Sequence, residues 1–265
     1  MKGFFTMILL IDVGNTNVTI GLSEGGKITA SWRMTTNREL TSDEIGMIMR
    51  NYFSLGGVDA KDIKGTIISS VVPPIMYSLT HAVRKYIGTE PIIVNSKSKM
   101  DLILKYDNPK EIGADRLVNA VGALKKYKPP FIIIDFGTAT TFCAVSDKRE
   151  YLGGVILPGI KISLNALVEK TAKLPKIEIA KPEKVIGTNT VESMQSGMYY
   201  GYTGSVDNIV NKMKSELENA TVIATGGLAR MISKESETID IIDSNLTLEG
   251  LMTIYDNETK EEKAN

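Results

Sequence analysis

Residues 7–22 read MILLIDVGNTNVTIGL. An apolar run, Met7 to Ile11, ends in an acid, a glycine and small polar side chains before a second apolar segment, Val18 to Leu22. Two strands joined through Asp12-Val13-Gly14-Asn15-Thr16-Asn17 account for the pattern, with Gly14 marking the turn. A plain hairpin is one reading of that turn. A phosphate cradle is the other. Glycine lets backbone N–H groups approach an anion, and Thr and Asn add side-chain donors. An Asp beside a phosphate makes sense when a cation such as Mg²⁺ or K⁺ lies between them.

The same pattern occurs a second time. After Pro129-Pro130, the run Phe131 to Ile134 ends in Asp135, followed by Phe136-Gly137-Thr138-Ala139-Thr140-Thr141 and another apolar strand, Phe142 to Val145. Third strands follow in both places, Lys27–Met34 and Glu150–Leu157, so each half opens with an antiparallel meander. Asp12 and Asp135 are separated by close to half of the 265-residue chain. Duplication at that spacing predicts two similar α/β lobes and favours the phosphate reading over a structural turn. The expected division is an N-terminal lobe over 7–128, a C-terminal lobe over 129–255 and a charged, frayed tail over 256–265, with the hinge at Lys128-Pro129-Pro130.

Between the repeats, apolar spacing predicts a helix from Ser42 to Phe53, capped by Thr41 or Ser42, and a helix from Ile75 to Tyr86. Gly65 to Val72 reads as a buried strand, Pro91–Val94 as a short one, 95–113 as a polar loop and Ala114 to Lys126 as a helix. A long helical region, Val191 to Leu217, precedes a strand at Thr221 to Ala224, and a last strand and helix lie near Thr238–Ile242 and Leu246–Tyr255.

Lys plus Arg and Asp plus Glu number 31 each, so net charge offers no electrostatic reason to expect a nucleic-acid partner. One cysteine, Cys143, and one histidine, His81, exclude an intrachain disulfide and leave too few ligands for a Cys/His zinc site. Cysteine scarcity fits a reducing cytoplasm. The segment Phe4 to Val13 is too short for a membrane helix or a signal peptide. Met1 and Met7 are both candidate starts. Neither G-x-x-x-x-G-K-[ST] nor a G-x-G-x-x-G after the first strand is present.

Two further segments carry chemistry. "VIATGGLA" (222–229) runs a strand into a glycine pair, which leaves room for a flat ring such as adenine or simply makes a tight turn. "EIGADRL" (111–117) places Asp115 and Arg116 at a helix opening, where a favourable dipole partner and a surface charge are the plain readings. In a kinase, Asp115 would orient and deprotonate an attacking hydroxyl, and Arg116 would bind an anionic group on the acceptor.

Taken in order, DVGNTN, KYDNPKEIGADR, IDFGTATT, GGVILPG, TNTVESMQSG and ATGGLA resemble the type III pantothenate kinase family, from about Met7 to Tyr255. The resemblance implies the actin/Hsp70/sugar-kinase fold: two ribonuclease-H-like lobes with ATP in the cleft. It implies transfer of the γ-phosphoryl group of ATP to the primary hydroxyl of pantothenate, the first step of coenzyme A biosynthesis. Asp12, Val13, Gly14, Asn15, Thr16, Asn17, Val18 and Thr19 would then form the first phosphate loop. Thr138 would touch ATP, and Asp135 would bind a monovalent cation, K⁺ or NH₄⁺. Tyr106, Gly113, Ala114, Asp115 and Arg116 would contact pantothenate, with Asp115 as proton acceptor and Thr190 completing the acceptor site. A divalent cation with ATP, and a homodimer with the acceptor pocket near its interface, are implied as well. The rival readings are a same-fold kinase for another small hydroxylated acceptor and a non-catalytic nucleotide-binding regulator. The presence of Asp115, Arg116 and Asp135 argues against the second.

Overall fold

The computed structural model describes residues 6–260. In chain order the first half forms β1 (Met7–Val13), β2 (Asn17–Glu24), β3 (Lys27–Thr35), α1 (Ser42–Leu55), β4 (Ile63–Ser70), α2 (Met76–Tyr86), β5 (Pro91–Ile93), β6 (Ile103–Leu104) and α3 (Ala114–Lys126). The second half forms β7 (Phe131–Phe136), β8 (Ala139–Val145), β9 (Glu150–Pro158), α4 (Ile160–Glu169), α5 (Thr190–Ser196), α6 (Tyr202–Glu216), β10 (Thr221–Gly226), α7 (Ala229–Ile232), β11 (Ile241–Ile242) and α8 (Leu246–Thr259).

The sheet orders are β3-β2-β1-β4-β5 and β11-β10-β7-β8-β9-β6. Read from its other end, the second sheet repeats the first and adds β6 at the edge. In both, the first three strands pair antiparallel, and the fourth joins the first in parallel. The doubled meander in the sequence is therefore a doubled sheet. Its two central strands are the apolar runs: Leu9, Leu10 and Ile11 in β1, and Ile132, Ile133 and Ile134 in β7, are all buried. A strand covered on both faces reads as a continuous apolar run rather than an alternating one. The edge strand β3 alternates exposed and half-buried positions.

The chain divides into two compact units. One holds the chain up to Asp101, Asp107–Lys126 and the stretch from Asn245 on; the other holds Leu102–Tyr106 and Tyr127–Ser244. In the first unit, Leu9, Ile11 and Val13 pack with Ile45, Met49 and Phe53 of α1 and with Leu79, Ala82 and Val83 of α2. Alternate strand residues point the other way, toward α3 and α8. In the second unit, Ile132, Ile134, Val222 and Ala224 pack with Ile160 of α4, Val206 and Val210 of α6 and Ile232 of α7.

Helix α1 starts where the sequence predicts, with a reciprocal cap: Glu44 N–H donates to Thr41 Oγ1 at 3.3 Å, and Thr41 N–H donates to Glu44 Oε2 at 2.8 Å. Elsewhere expectation and structure differ. Helix α8, placed by sequence in the C-terminal lobe, packs in the first unit. Leu246, Leu251 and Ile254 are fully buried there, Thr247 Oγ1 donates to Asn119 Oδ1 at 2.7 Å, and Lys126 Nζ lies 2.8 Å from Glu249 Oε2. The passages between units fall at Asp101/Leu102, Tyr106/Asp107, Lys126/Tyr127 and Ser244/Asn245 rather than at the proline pair. The expected tail begins inside α8, which runs to Thr259; residues 261–265 of that tail, and 1–5 of the N-terminal extension before Met7, lie outside the described residues. The polar loop 95–113 contains β6, and the predicted long helix is α5 and α6 joined by a wider turn, Gly197–Gly201. Helix α4 was not expected.

Candidate active site

The end of β1 is set by pairing. Asp12 stands opposite Thr19 of β2 and Ser69 of β4. Val13 and Val18 are buried and anchor the turn, while Asn15, Thr16 and Asn17 between them are exposed. Gly14 N–H donates to Asn17 O at 3.0 Å and closes the turn. From outside, Thr36 holds it twice: its Oγ1 donates to Gly14 O at 2.6 Å and its N–H to Thr16 O at 2.9 Å. Ser69 Oγ is wholly buried and has no hydrogen-bond partner among the described residues. A buried hydroxyl left over in register with a carboxylate suits a site that expects a polar ligand.

Strands β1 and β4 are parallel and end together, the place where open α/β sheets hold ligands. Val71, just past β4, connects two of the predicted groups. Its N–H donates to Val13 O at 3.1 Å, and its Cγ1 lies 3.4 Å from where a Cβ on Gly113 would stand. The opening of α3 is thereby brought beside the end of β1. A Cβ on Gly113 would also lie 2.5 Å from Asp115 Oδ1, so any side chain there would displace that carboxylate. Asp115 Oδ1 accepts the Arg116 N–H at 2.8 Å. Burial pushes the Asp115 carboxyl above the usual carboxylate range; the Arg116 N–H and its guanidinium pull the other way and do not cancel the effect. Arg116 itself is buried. A cavity of about 510 Å³ opens beside this segment, lined among others by Ser70, Val71, Lys97, Lys110, Gly113 and Ala114.

The second unit repeats the strand end. Asp135 stands opposite Thr141 of β8 and Thr225 of β10. Gly137 N–H donates to Ala139 O at 3.1 Å, and Gly159 N–H donates to Thr138 O at 3.2 Å. Gly226 ends β10 with φ 91°, and a Cβ there would fall 2.6 Å from Asp135 Oδ1 and 2.7 Å from Phe136 O. No side chain therefore fits at Gly226 beside the Asp135 carboxylate, and a carboxylate oxygen is the donor type that a hard cation takes. Among the described residues no group of three or more His, Cys, Asp or Glu side chains could hold a metal ion. A divalent cation would therefore take most of its oxygens from phosphates, as Mg²⁺ commonly does.

The predicted residues fall into separate local groups. Asp12 to Thr19 and Gly113 to Arg116 meet around Val71 in the first unit. Asp135 and Thr138 belong to the second unit, with Gly226 and Gly159 as neighbours. Tyr106, expected to act with Gly113–Arg116, belongs to the second unit instead, its ring centroid 6.2 Å from that of Tyr151. Thr190 is the exposed first residue of α5, just after the capping Asn189, whose Oδ1 accepts Glu192 N–H at 2.9 Å. Neither Tyr106 nor Thr190 hydrogen-bonds to the other groups among the described residues. Sequence reading missed Thr36, Ser69 and Gly159. Aligning the two repeats beyond the first two strands would have raised Thr36 and Gly159, since each follows the third strand of its meander. Gly226 has a reason to be glycine that the adenine reading did not contain, namely the Asp135 carboxylate against it.

A family model for type III pantothenate kinases matches residues 8–212. The type III pantothenate kinase of Halalkalibacterium halodurans is 54% identical over 250 residues, spanning 94% of this chain and 98% of that protein. That of an Exiguobacterium species is 52% identical over 254 residues, spanning 96% of this chain and 100% of that protein. Among solved structures, one assigned as a 2-dehydro-3-deoxygalactonokinase of Sinorhizobium meliloti superposes with a TM-score of 0.58 at 12% identity, covering 96% of each chain. That likeness shows the fold alone, the α/β actin/Hsp70/sugar-kinase architecture of mixed sheets flanked by helices.

Proposed function

The chain belongs to the type III pantothenate kinase family, and on that premise we propose how its residues divide the work. The reaction phosphorylates the primary hydroxyl of pantothenate with ATP, giving 4'-phosphopantothenate, the first step of coenzyme A biosynthesis. Residues Asp12 to Thr19 hold phosphate oxygens through the turn's small polar groups, and Thr138 contacts ATP. A bound divalent cation neutralises phosphate charge. Asp135, with Phe136 O beside it, holds a monovalent cation, K⁺ or NH₄⁺. Phosphoryl transfer passes through a loose transition state, so positioning and charge do most of the work.

Asp115 orients the pantothenate hydroxyl and accepts its proton. A carboxyl kept partly out of water binds a proton more tightly than an exposed one, which brings it closer to the task. Gly113 and Ala114 line the acceptor pocket, Arg116 binds the acceptor's carboxylate by a two-pronged contact, and Tyr106 and Thr190 complete the site. The cavity lined by Gly113 and Ala114 supports this assignment, because it offers room at the opening of α3, where Asp115 is the next residue. We propose a cytoplasmic homodimer. Leu152 and Ile156, both outward on β9, are 42% and 64% exposed, apolar side chains that a second copy would cover. Among the described residues no helix is long and apolar enough to cross a membrane.

The observation that carries the reading is the paired Asp-x-Gly strand ends at equivalent positions of two like-ordered sheets. The test is ADP release with and without pantothenate in K⁺ buffer, with the product weighed by mass spectrometry. Pantothenate-dependent turnover and a singly phosphorylated product are expected. ATP hydrolysis indifferent to pantothenate would overturn the assignment.

A further inference from the structure

Thr36 is the first residue of a short segment that leaves β3 and passes directly against the first turn. Its two hydrogen bonds to Gly14 O and Thr16 O fix that segment to the turn from both ends. The next residue, Asn37, folds the segment locally, its Oδ1 accepting Glu39 N–H at 3.0 Å. Arg38 follows, exposed, with Nη2 donating to Asn15 Oδ1 at 3.4 Å. Among the described residues that neutral amide oxygen is the guanidinium's one hydrogen-bond partner. A guanidinium carries five N–H donors in a planar fork suited to phosphate oxygens. Here the fork is delivered to the exposed side chain of the turn with most of its donors unspent and, among the described residues, no carboxylate pairing it.

We infer that Arg38 is a nucleotide-binding residue, its guanidinium held over the first turn by the Thr36 clamp to bind the phosphate tail of ATP. This rests on the reading of Asp12–Thr19 as a phosphate loop. It adds a cation that the turn itself lacks: residues 12–19 hold an acid and neutral groups only. Pairing brings it there, since Asn17 is opposite Thr35 in the β2–β3 ladder, which places the residues just past β3 alongside the turn.

The experiment compares Arg38→Ala, Arg38→Lys and Asn15→Asp in the intact chain. Steady-state constants for both substrates, MgATP titration calorimetry and melting temperature are measured for each. Arg84→Ala, which removes an exposed pair with Glu90 on α2, serves as the charge control. Arg38→Ala is expected to raise KM and Kd for MgATP by about 10-fold or more, the scale of a lost charge-assisted contact. The pantothenate KM and the melting temperature should stay at the wild-type values, and Arg38→Lys should recover part of the loss. MgATP affinity unchanged in Arg38→Ala, while Asn15→Asp weakens it, overturns the role of Arg38 and leaves the phosphate loop standing. MgATP affinity unchanged in Asn15→Asp removes the phosphate loop and Arg38 with it. Equal losses for both substrates together with a lower melting temperature would make Arg38 structural, and the inference false.

Discussion

The first and second turns occupy matching positions in matching sheets, yet they are built differently. The first spans Gly14-Asn15-Thr16 and is clamped by a side chain, Thr36, whose hydroxyl and N–H each take a carbonyl. The second spans only Gly137-Thr138 and is braced by the backbone of Gly159, where a Cβ would meet Thr138 O at 2.2 Å and Gly137 O at 2.8 Å. One turn is held by added chemistry, the other by the absence of a side chain. What the two halves share is strand register and the terminal acid; the braces were solved separately. The first brace brings a cation to the turn, and the second brings the start of α4, whose first N–H groups carry partial positive charge.

The largest expected effect lies where the halves diverge most. The last helix of the first half opens Ala114-Asp115-Arg116, and that of the second opens Leu246-Thr247-Leu248. Asp115→Asn should lower kcat roughly 10²–10⁴-fold, the range for a lost general base, with MgATP binding spared. Near-normal turnover would take Asp115 out of the mechanism and leave the halves chemically equivalent. The asymmetry between acids at the strand ends is tested next. Asp135→Ala should abolish the activity difference between K⁺ and Na⁺ buffers; persistence of the wild-type ratio would show that the cation is held elsewhere.

Stability separates the two braces. Gly159→Ala has backbone oxygens in its way and should cost about 3 kcal/mol, whereas Thr36→Ala loses hydrogen bonds of one hydroxyl and should cost about 1 kcal/mol. Denaturant midpoints measure both, and similar losses would mean that the second turn yields more readily than its packing indicates. The smallest effect concerns pH. The raised Asp115 carboxyl binds its proton more tightly folded than unfolded. Its contribution to stability is therefore fully present below the ordinary carboxylate pKa and is lost as pH rises through the raised value. At neutral pH, Asp115→Asn should then melt slightly higher than wild type, and the acid limb of kcat/KM in the wild type should lie above the ordinary carboxylate range. A lower melting temperature for that variant at pH 7 would contradict the burial of the charge.

Much of the fold was legible because apolar periodicity is a local property. The runs at 7–11 and 131–134 announce buried central strands, Gly14 and Gly137 announce turns, and Thr41 with Glu44 announces the start of α1. Other elements escaped for physical reasons. Strand β6 is two residues long and gains its partner, Glu150 and Tyr151, only when β9 is already in place. Helix α8 buries Leu246, Leu248, Leu251 and Ile254, and nothing in that pattern says which sheet it will cover. The site was partly legible in the same sense: the acids and glycines of both turns stand out, but Thr36, Ser69 and Gly159 are common residues until pairing puts them against a carbonyl or a carboxylate.

By itself, then, the sequence determined the duplicated strand–turn–strand pattern, the acids that end it and, through its ordered motifs, the family. Those features depend on the period of side chains along a strand and on residue chemistry, which neighbours in the chain already specify. Only the tertiary structure decided that α8 returns to the first unit, that Val71 joins the end of β1 to the opening of α3, that Gly226 faces Asp135 and that Arg38 reaches Asn15. Each of these joins residues from separate elements, and what places them is pairing register and packing over the whole sheet, which no stretch of local sequence contains.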